Sequence, residues 1–167
     1  MVDAGCETLP GFEMENFKTP MAVLWEKGID IADITDVIIT HAHHDHIECV
    51  KYFKNATVHI QEDEYKTGKA YLSENPSIRT FSDGAAIDDC VKIVKMGGHS
   101  QGSSIVECKM DDKIYVLCAD ECYSFYNIRN RIPTATSYCP ENSRAFIEKY
   151  SRDPYECLLG HDVGNNS

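Results

Sequence analysis

The sequence contains no uninterrupted apolar run of eighteen residues, the length that a membrane-spanning helix requires. It also lacks a basic segment followed by an apolar one at its start, which is the pattern of a secretion signal. These absences favour a cytoplasmic protein that does not associate with membranes. The chain has no internal repeat and no low-complexity tract, and its 167 residues are enough for one domain with a buried core.

Basic residues are also scarce. The chain has 16 Lys and Arg residues against 27 Asp and Glu residues, for a formal net charge of −11. A surface of this charge repels a polyanion, so we expect no nucleic-acid partner. A small-molecule substrate is the better expectation.

Signals for a nucleophilic side chain are weak. The Gly-x-Ser-x-Gly spacing occurs once, at Gly98-His99-Ser100-Gln101-Gly102, but it lies between two predicted strands and not at a strand-to-helix turn, so no serine nucleophile of that type is predicted. The eight cysteines include no Cys-x-x-Cys pair, and we interpret most of them as reduced, buried thiols. Cys122 also has an alternative interpretation as a redox-sensitive or metal-binding thiol.

Metal-ligand side chains, in contrast, are concentrated in the run His41-Ala42-His43-His44-Asp45-His46. His41 and His43 are two residues apart, so both can point to one side of an extended backbone. Asp45 and His46 follow where the chain can turn and offer ligands to a second ion. Imidazole and carboxylate ligands suit zinc, iron or manganese. The alternative is a chance cluster of histidines on a solvated loop.

Four predicted strands each end just before a His or an Asp. The strands are residues 36–40, 91–96, 114–119 and 155–159, and they precede His41, His99, Asp120 and His161 respectively. Loops at one rim of a rigid sheet are a natural place for a site. We therefore expect these side chains to form one metal centre.

These residues resemble the signature of the metallo-β-lactamase-fold hydrolases, and the resemblance runs from Val2 to about Asp162. It implies that His41, His43 and His99 hold one metal ion. Asp45, His46 and His161 would hold a second ion, and Asp120 would bridge the two. Val2-Asp3-Ala4-Gly5 resembles the Asp-x-Gly segment that braces the ligands in this family.

The family resemblance implies an α/β fold, an αββα sandwich, over a single domain of residues 1–167. Family members normally carry several strands before the Asp-x-Gly segment, which begins here at Asp3. We therefore expect a shortened sheet with an exposed edge and a possible homodimer. The sequence pattern predicts helices and strands in mixed order; the helices are 21–27, 47–53, 61–72 and 141–150, and the additional strands are 57–60 and 103–110.

Within the superfamily, the chain is most similar to the N-acyl-homoserine lactonases. The commonest β-lactamases have Cys at the position of Asp120, and flavodiiron proteins have Glu at that of His43, so both are disfavoured. Tyr123 lies three residues after Asp120, where the lactonases have a Tyr that contacts the substrate. Gly98-His99-Ser100 and Gly160-His161-Asp162 also resemble lactonase segments. The alternative for Tyr123 is a half-buried aromatic side chain under a loop.

The resemblance implies a quorum-quenching hydrolase with two divalent ions, zinc foremost, with iron, manganese or cobalt also suitable. A hydroxide shared by the ions would open the lactone or ester. Asp120, Tyr123 and Asp45 are the predicted catalytic residues. Two alternatives stay open. One is a thioesterase of glyoxalase II type, although no basic cluster that could recognise glutathione stands out in the sequence. The other is a truncated, non-catalytic metal-binding module.

Overall fold

Two β-sheets organise the chain, and each belongs to its own unit. The computed structural model describes residues 1–13, 15–134 and 136–161. One unit is Met1–Phe81 and the other is Ser82–Ser167. The mixture of helices and strands confirms the predicted α/β class, whereas the extent of the domain, residues 1–167, stays a prediction.

The sheet of the first unit has three parallel strands in the order β1-β2-β3. They are β1 (Asp36–Ile39), β2 (Thr57–Gln61) and β3 (Ser77–Phe81). Val37, Ile38 and Ile39 are all buried, as expected for a parallel strand that is covered on both faces. Because parallel strands end at the same edge, the loops that follow β1 and β2 leave the sheet side by side.

Short helices surround this sheet. They are α1 (Pro20–Glu26), α2 (His44–Ile47) and α3 (Glu62–Gly68), with 3₁₀ turns at Ile31–Asp33 and Glu48–Tyr52. Thr19 caps α1, because its Oγ1 accepts a hydrogen bond of 3.2 Å from the Ala22 amide. The core beneath the helices is apolar; its largest buried side chains are Ile39, Ile47, Phe53, Ile60 and Leu72.

The N-terminal residues extend the edge of this sheet. Val2 forms a parallel bridge with Ile38. The Asp3 amide donates to the Ile38 carbonyl at 2.8 Å, and the Ile38 amide donates to the Met1 carbonyl at 2.9 Å. Backbone pairing with β1 therefore places Asp3 beside the end of that strand, directly before the histidine-rich loop.

The second unit contains a five-stranded sheet in the order β4-β5-β6-β7-β8. The strands are β4 (Gly84–Ala86), β5 (Val91–Lys95), β6 (Ser104–Met110), β7 (Lys113–Leu117) and β8 (Tyr155–Leu158). Both β5 and β7 pair antiparallel with β6, and β8 pairs parallel with β7. Strands β5, β7 and β8 therefore run in one direction, and their following loops leave the sheet at one edge.

Two helices accompany the second sheet, α4 (Phe125–Asn130) and α5 (Pro140–Tyr150). Helix α5 buries Phe146, Ile147 and Tyr150 in a core that also contains Ile105 and Val116. The Tyr150 hydroxyl donates a 2.7 Å hydrogen bond to Glu107 Oε1. This contact anchors the helix to β6.

Most predicted elements are confirmed, with shifted ends. Helix α3 ends at Gly68 and not at residue 72, and the helix predicted at 47–53 begins earlier, at His44, and continues as a 3₁₀ turn. The sequence pattern missed β3, β4 and α4. Two of the five residues of β3 are exposed, and α4 buries none of its residues. Without a buried face these segments lack the hydrophobic periodicity that marks a strand or a helix.

Among the residues that the structure describes, no helix is both long and apolar enough to cross a lipid bilayer.

One ion pair in the first unit predicts a pH dependence of stability. His59 Nε2 lies 2.7 Å from Asp36 Oδ1, and this hydrogen bond holds the pKa of Asp36 below its ordinary value. The His59–Asp36 contact therefore contributes to the free energy of unfolding above the pKa of Asp36 in the unfolded chain, about 3.9. This contribution is lost as the pH falls through the lower pKa of Asp36 in the folded protein. We expect Asp36→Asn to be less stable than the wild type by up to about 1 kcal/mol at pH 6, because half-exposed pairs contribute little. Urea unfolding between pH 6 and pH 3 should show this difference shrinking; a difference that does not change with pH would contradict the assignment.

Candidate functional site

The loop after β1 brings two histidines together in the first unit. His41 Nε2 lies 3.0 Å from His43 Nδ1. Two nitrogens that each bind one zinc ion at about 2.0–2.1 Å in tetrahedral geometry are about 3.3 Å apart, so this pair suits a single ion. His41 is fully buried, and its Nδ1 lies 3.2 Å from Thr40 Oγ1. That contact leaves Nε2 as the atom that faces His43.

Asp45 and His46 lie on α2, one turn further along. Asp45 Oδ2 is 3.5 Å from His46 Nε2, so these two side chains also offer their ligand atoms together. His46 Nδ1 lies 2.8 Å from Asp3 Oδ2. A carboxylate accepts only, so the Nδ1 atom carries the proton and the Nε2 lone pair is available to a metal ion.

Asp3 braces this ligand loop from the N-terminal segment. Its Oδ1 accepts a 2.8 Å hydrogen bond from the Thr40 amide, and its Oδ2 accepts a 2.9 Å bond from the Thr40 hydroxyl. Asp3 has a φ of 52°, a left-handed conformation that non-glycine residues rarely adopt. Strained backbone of this kind concentrates at functional sites. The structure thus gives Asp3 the contacts that the family resemblance implied.

A second buried carboxylate, Glu64 on α3, holds the same loop from the other side. Its Oε2 accepts a 2.8 Å hydrogen bond from the Ala42 amide, in the middle of the histidine-rich run. Gly68, one turn later, lies so close that a Cβ atom there would be 3.0 Å from the Ala42 Cβ. Sequence reasoning missed Glu64. The only signal was an acidic residue on a short helix that lies directly after a buried strand.

The two histidines without a predicted ligand role have structural contacts. His44 lies 3.2 Å from the Tyr71 hydroxyl and 2.8 Å from the Thr8 carbonyl, which confirms its interpretation as a structural residue of the loop. His59 is packed within β2, where it pairs with Asp36. Of the two predicted alternatives for His59, a surface residue or a packed residue, the structure confirms the packed one.

In the second unit, Asp120 lies between two histidines. Asp120 Oδ2 is 3.4 Å from His99 Nε2, and Asp120 Oδ1 is 3.0 Å from His161 Nε2. Each carboxylate oxygen therefore faces a different imidazole. Asp120 follows Ala119, whose φ of 44° turns the chain sharply at the end of β7.

Tyr123 and Thr136 complete this cluster. The Tyr123 hydroxyl lies 3.3 Å from Asp120 Oδ2, 3.0 Å from Thr136 Oγ1 and 3.4 Å from His99 Nδ1. His99 Nδ1 lies 3.3 Å from the Thr136 carbonyl, which can only accept a hydrogen bond and so directs Nε2 toward Asp120. Sequence reasoning did not identify Thr136, because a backbone carbonyl leaves no mark in the residue type.

Glu121 lies under the His99 loop. Its Oε1 accepts hydrogen bonds of 3.1 Å from the amides of both Gly98 and His99. Burial raises the pKa of its carboxyl, although these bonds and one from the Ser103 hydroxyl act in the opposite direction. The next residue, Cys122, is fully buried, in agreement with its interpretation as a packed thiol.

The structure thus assembles the predicted site residues as two sets, one in each unit. The first set is His41, His43, Asp45 and His46; the second is His99, Asp120, Tyr123 and His161. Asp162, the last residue of the Gly-His-Asp segment, lies outside the described residues. Imidazole and carboxylate donors in both sets match divalent metals such as zinc.

Comparisons with known proteins identify the family. The family model described as the metallo-beta-lactamase superfamily matches residues 1–116. An N-acyl homoserine lactonase of Agrobacterium fabrum is 26% identical over 147 residues, which cover 74% of this chain and 50% of the lactonase. A probable metallo-hydrolase of Methanocaldococcus jannaschii is 27% identical over 139 residues, covering 83% of this chain and 62% of that protein. The chain therefore spans between half and two thirds of the length of these relatives.

The fold matches as well. A crystal structure of an N-acyl homoserine lactone hydrolase, with the product N-hexanoyl-L-homoserine bound at its catalytic metal centre, superposes with a TM-score of 0.80. The sequence identity is 19%, and the match covers 97% of this chain and 76% of that one. The α/β elements, the histidine-rich loop and the match of the family model lead to one conclusion: the chain belongs to the metallo-beta-lactamase superfamily.

Proposed function

We propose that the protein is a dinuclear metal-dependent hydrolase that opens the ring of a lactone, with N-acyl-homoserine lactones as the substrate class. The observation that carries the proposal is the position of Asp120, whose two carboxylate oxygens each face the Nε2 atom of a different histidine. A carboxylate in that position can bridge two ions.

The proposed ligand assignment follows the family signature. One ion would be held by His41, His43 and His99, the other by Asp45, His46 and His161, with Asp120 shared. The donor set fits such ions, because the Nδ1 atoms of His46 and His99 are hydrogen-bonded to oxygen acceptors and their Nε2 atoms are left for metal. Zinc is the proposed metal, and iron, manganese or cobalt suit the same donors.

Bound ions would supply an activated water and polarise the substrate carbonyl. The residues of this chain would position the substrate and stabilise the charge that develops on it. The Tyr123 hydroxyl, close to Asp120 and half-buried, can donate a hydrogen bond to the substrate carbonyl oxygen as negative charge develops on it. Asp120 can accept a proton from the attacking water and pass it to the leaving oxygen of the ring. Asp45 would be a ligand of the second ion, since its Oδ2 lies beside the Nε2 atom of His46.

The choice of a lactone rests on likeness to other proteins together with Tyr123. A relative is an N-acyl homoserine lactonase, and a solved structure of similar fold holds N-hexanoyl-L-homoserine at its metal centre. A net charge of −11 supports a small-molecule substrate over a nucleic acid. All eight cysteines are free thiols, which supports the cytoplasm as the proposed location. Quorum quenching and a homodimer remain part of this proposal.

Metal content and a substrate panel test the proposed function. Protein purified without a His tag should contain close to two equivalents of divalent metal by elemental analysis. It should then hydrolyse N-acyl-homoserine lactones faster than the glutathione thioester that a glyoxalase II-type enzyme would cleave. Metal well below one equivalent would contradict the dinuclear centre, and a preference for the thioester would contradict the lactone assignment.

Tyr123→Phe separates substrate contact from metal binding. The variant loses one hydroxyl donor near the reacting carbonyl, so we expect kcat to fall by about ten- to a hundredfold. Metal content should stay unchanged, since the phenol is not a proposed ligand. Tyr126→Phe, on the exposed surface of α4, is the matched control and should retain full activity. Loss of metal from the Tyr123 variant would show that the assigned role is wrong.

A further inference from the structure

Glu121 is a buried acidic residue to which neither the family signature nor the proposed mechanism assigns a role. It is 1% exposed and follows Asp120 in the 3₁₀ turn Ala119–Glu121. The two neighbouring carboxylates contact different groups. Asp120 faces the imidazoles of His99 and His161, whereas Glu121 faces the backbone of the loop that carries His99.

The contacts of Glu121 close this loop from the inside. Its Oε1 accepts from the amides of Gly98 and His99, each at 3.1 Å, and from the Ser103 hydroxyl. The Met96 and Gly97 amides both donate to the Ser103 carbonyl, at 2.8 and 2.9 Å. Residues 97–103 therefore form a closed turn with one carboxylate oxygen at its centre.

The fit between this carboxylate and the loop is tight at Gly98. A Cβ atom at residue 98 would lie 2.2 Å from Glu121 Oε2 and 2.7 Å from Ser143 Oγ. Both distances are far below van der Waals contact, so only glycine fits above the carboxylate. Burying a carboxylate whose second oxygen has no hydrogen-bond partner among the described residues costs stability. The identity of this residue is therefore better explained by the geometry that it imposes than by its contribution to stability.

We propose that Glu121 is a positioning residue for the metal ligand His99. It holds the Gly98–His99 backbone at a set distance from the turn that carries Asp120. Asp120 and Glu121 are adjacent in one short turn. This turn therefore determines the positions of two proposed ligands, Asp120 directly and His99 through Glu121. His99 Nε2 lies 3.4 Å from Asp120 Oδ2. The inference rests on the proposed function, since it assumes that both side chains bind metal.

The test compares two substitutions of Glu121 in cobalt titrations of the metal-free protein, followed by the visible absorption of bound Co²⁺. Glu121→Ala removes the acceptor, and we expect affinity for at least one ion to fall by about ten- to a hundredfold, as for other groups that orient metal ligands. Glu121→Gln keeps an oxygen acceptor at Oε1 for the Gly98 and His99 amides. Because His99 then stays oriented, the affinity for Co²⁺ should stay within about threefold of wild type. Val116→Ala, a buried change in the same core, is the matched control for destabilisation alone and should bind Co²⁺ as the wild type does.

A second measurement needs no metal. Amide hydrogen exchange across residues 97–103 should be faster in Glu121→Ala than in the wild type, and unchanged in Glu121→Gln. Unaltered exchange and unaltered Co²⁺ affinity in Glu121→Ala would overturn the inference, as would equal losses of affinity in Glu121→Ala and Val116→Ala. A wild-type chain that binds no Co²⁺ would contradict the proposed function and, with it, the role in metal binding. Normal binding by the wild type together with an unaffected Glu121→Ala would contradict this inference alone.

Discussion

Replacing Asp120 with alanine should abolish hydrolysis while the fold survives. The substitution removes both carboxylate oxygens that face His99 and His161, so the two proposed ions lose their shared ligand. Since metal ions provide several kcal/mol of transition-state stabilisation and each 1.36 kcal/mol is a factor of ten, we expect kcat/KM to fall by about a thousandfold or more. Steady-state kinetics on a lactone substrate, with metal content measured on the same sample, would check this.

The matched control is Asp112→Ala. Asp112 is an exposed aspartate in the hairpin turn between β6 and β7, and its loss should leave turnover and metal content unchanged. Circular dichroism and the midpoint of thermal unfolding should show that Asp120→Ala still folds, because Asp120 is not part of the apolar core that stabilises the second unit. Turnover at the wild-type rate in Asp120→Ala would refute the proposed mechanism.

The sequence alone was sufficient to propose the ligands, because all of them lie in the segments that follow four apolar strands, the first of which leads into the histidine-rich run. His41 follows β1 and Asp120 follows β7, and a hydrophobic run before a His or an Asp is visible without any structure. The parallel direction of β5, β7 and β8 then brings the following loops to one edge of their sheet. That direction cannot be read from periodicity, and the family resemblance supplied it.

The residues that orient the ligands were mostly beyond sequence reasoning. Glu64 and Glu121 are acidic residues on a helix and a turn, where such residues are usually exposed. Their burial follows from tertiary contacts with the backbone amides of Ala42, Gly98 and His99. Asp3 was the exception, because it belongs to the Asp-x-Gly segment that the family resemblance includes.

The secondary-structure elements also divide into those that the local sequence predicts and those that depend on long-range contacts. Strand β1 and helix α5 have strong apolar patterns and were predicted. Strand β3, Ser77-Ile78-Arg79-Thr80-Phe81, has a polar face and gains its place by pairing with β2, a long-range contact that no local pattern contains. A local sequence pattern indicates which face of a strand is buried. Because β3 buries little, its sequence carries no such pattern.

Two substitutions of Asp3 should separate folding from metal binding in the first unit. Asp3→Ala leaves the Thr40 amide, the Thr40 hydroxyl and His46 Nδ1 without their acceptor. We expect a loss of about 2–4 kcal/mol in the free energy of unfolding, since each orphaned donor costs about 1–3 kcal/mol and water compensates in part. We also expect metal affinity to fall by about ten- to a hundredfold, because His46 is no longer oriented.

Asp3→Asn is the more informative variant because it keeps the shape of the side chain. Its amide oxygen can still accept from the Thr40 amide, but its NH₂ group then faces His46 Nδ1, where a carboxylate oxygen had been. To accept that hydrogen bond, His46 has to move its proton to Nε2, and a protonated Nε2 cannot bind metal. We therefore expect near wild-type stability in urea with metal affinity reduced as much as in Asp3→Ala. Zinc or cobalt affinity at the wild-type level in Asp3→Asn would show that His46 does not bind metal through Nε2, and the second proposed ion would lose one of its ligands.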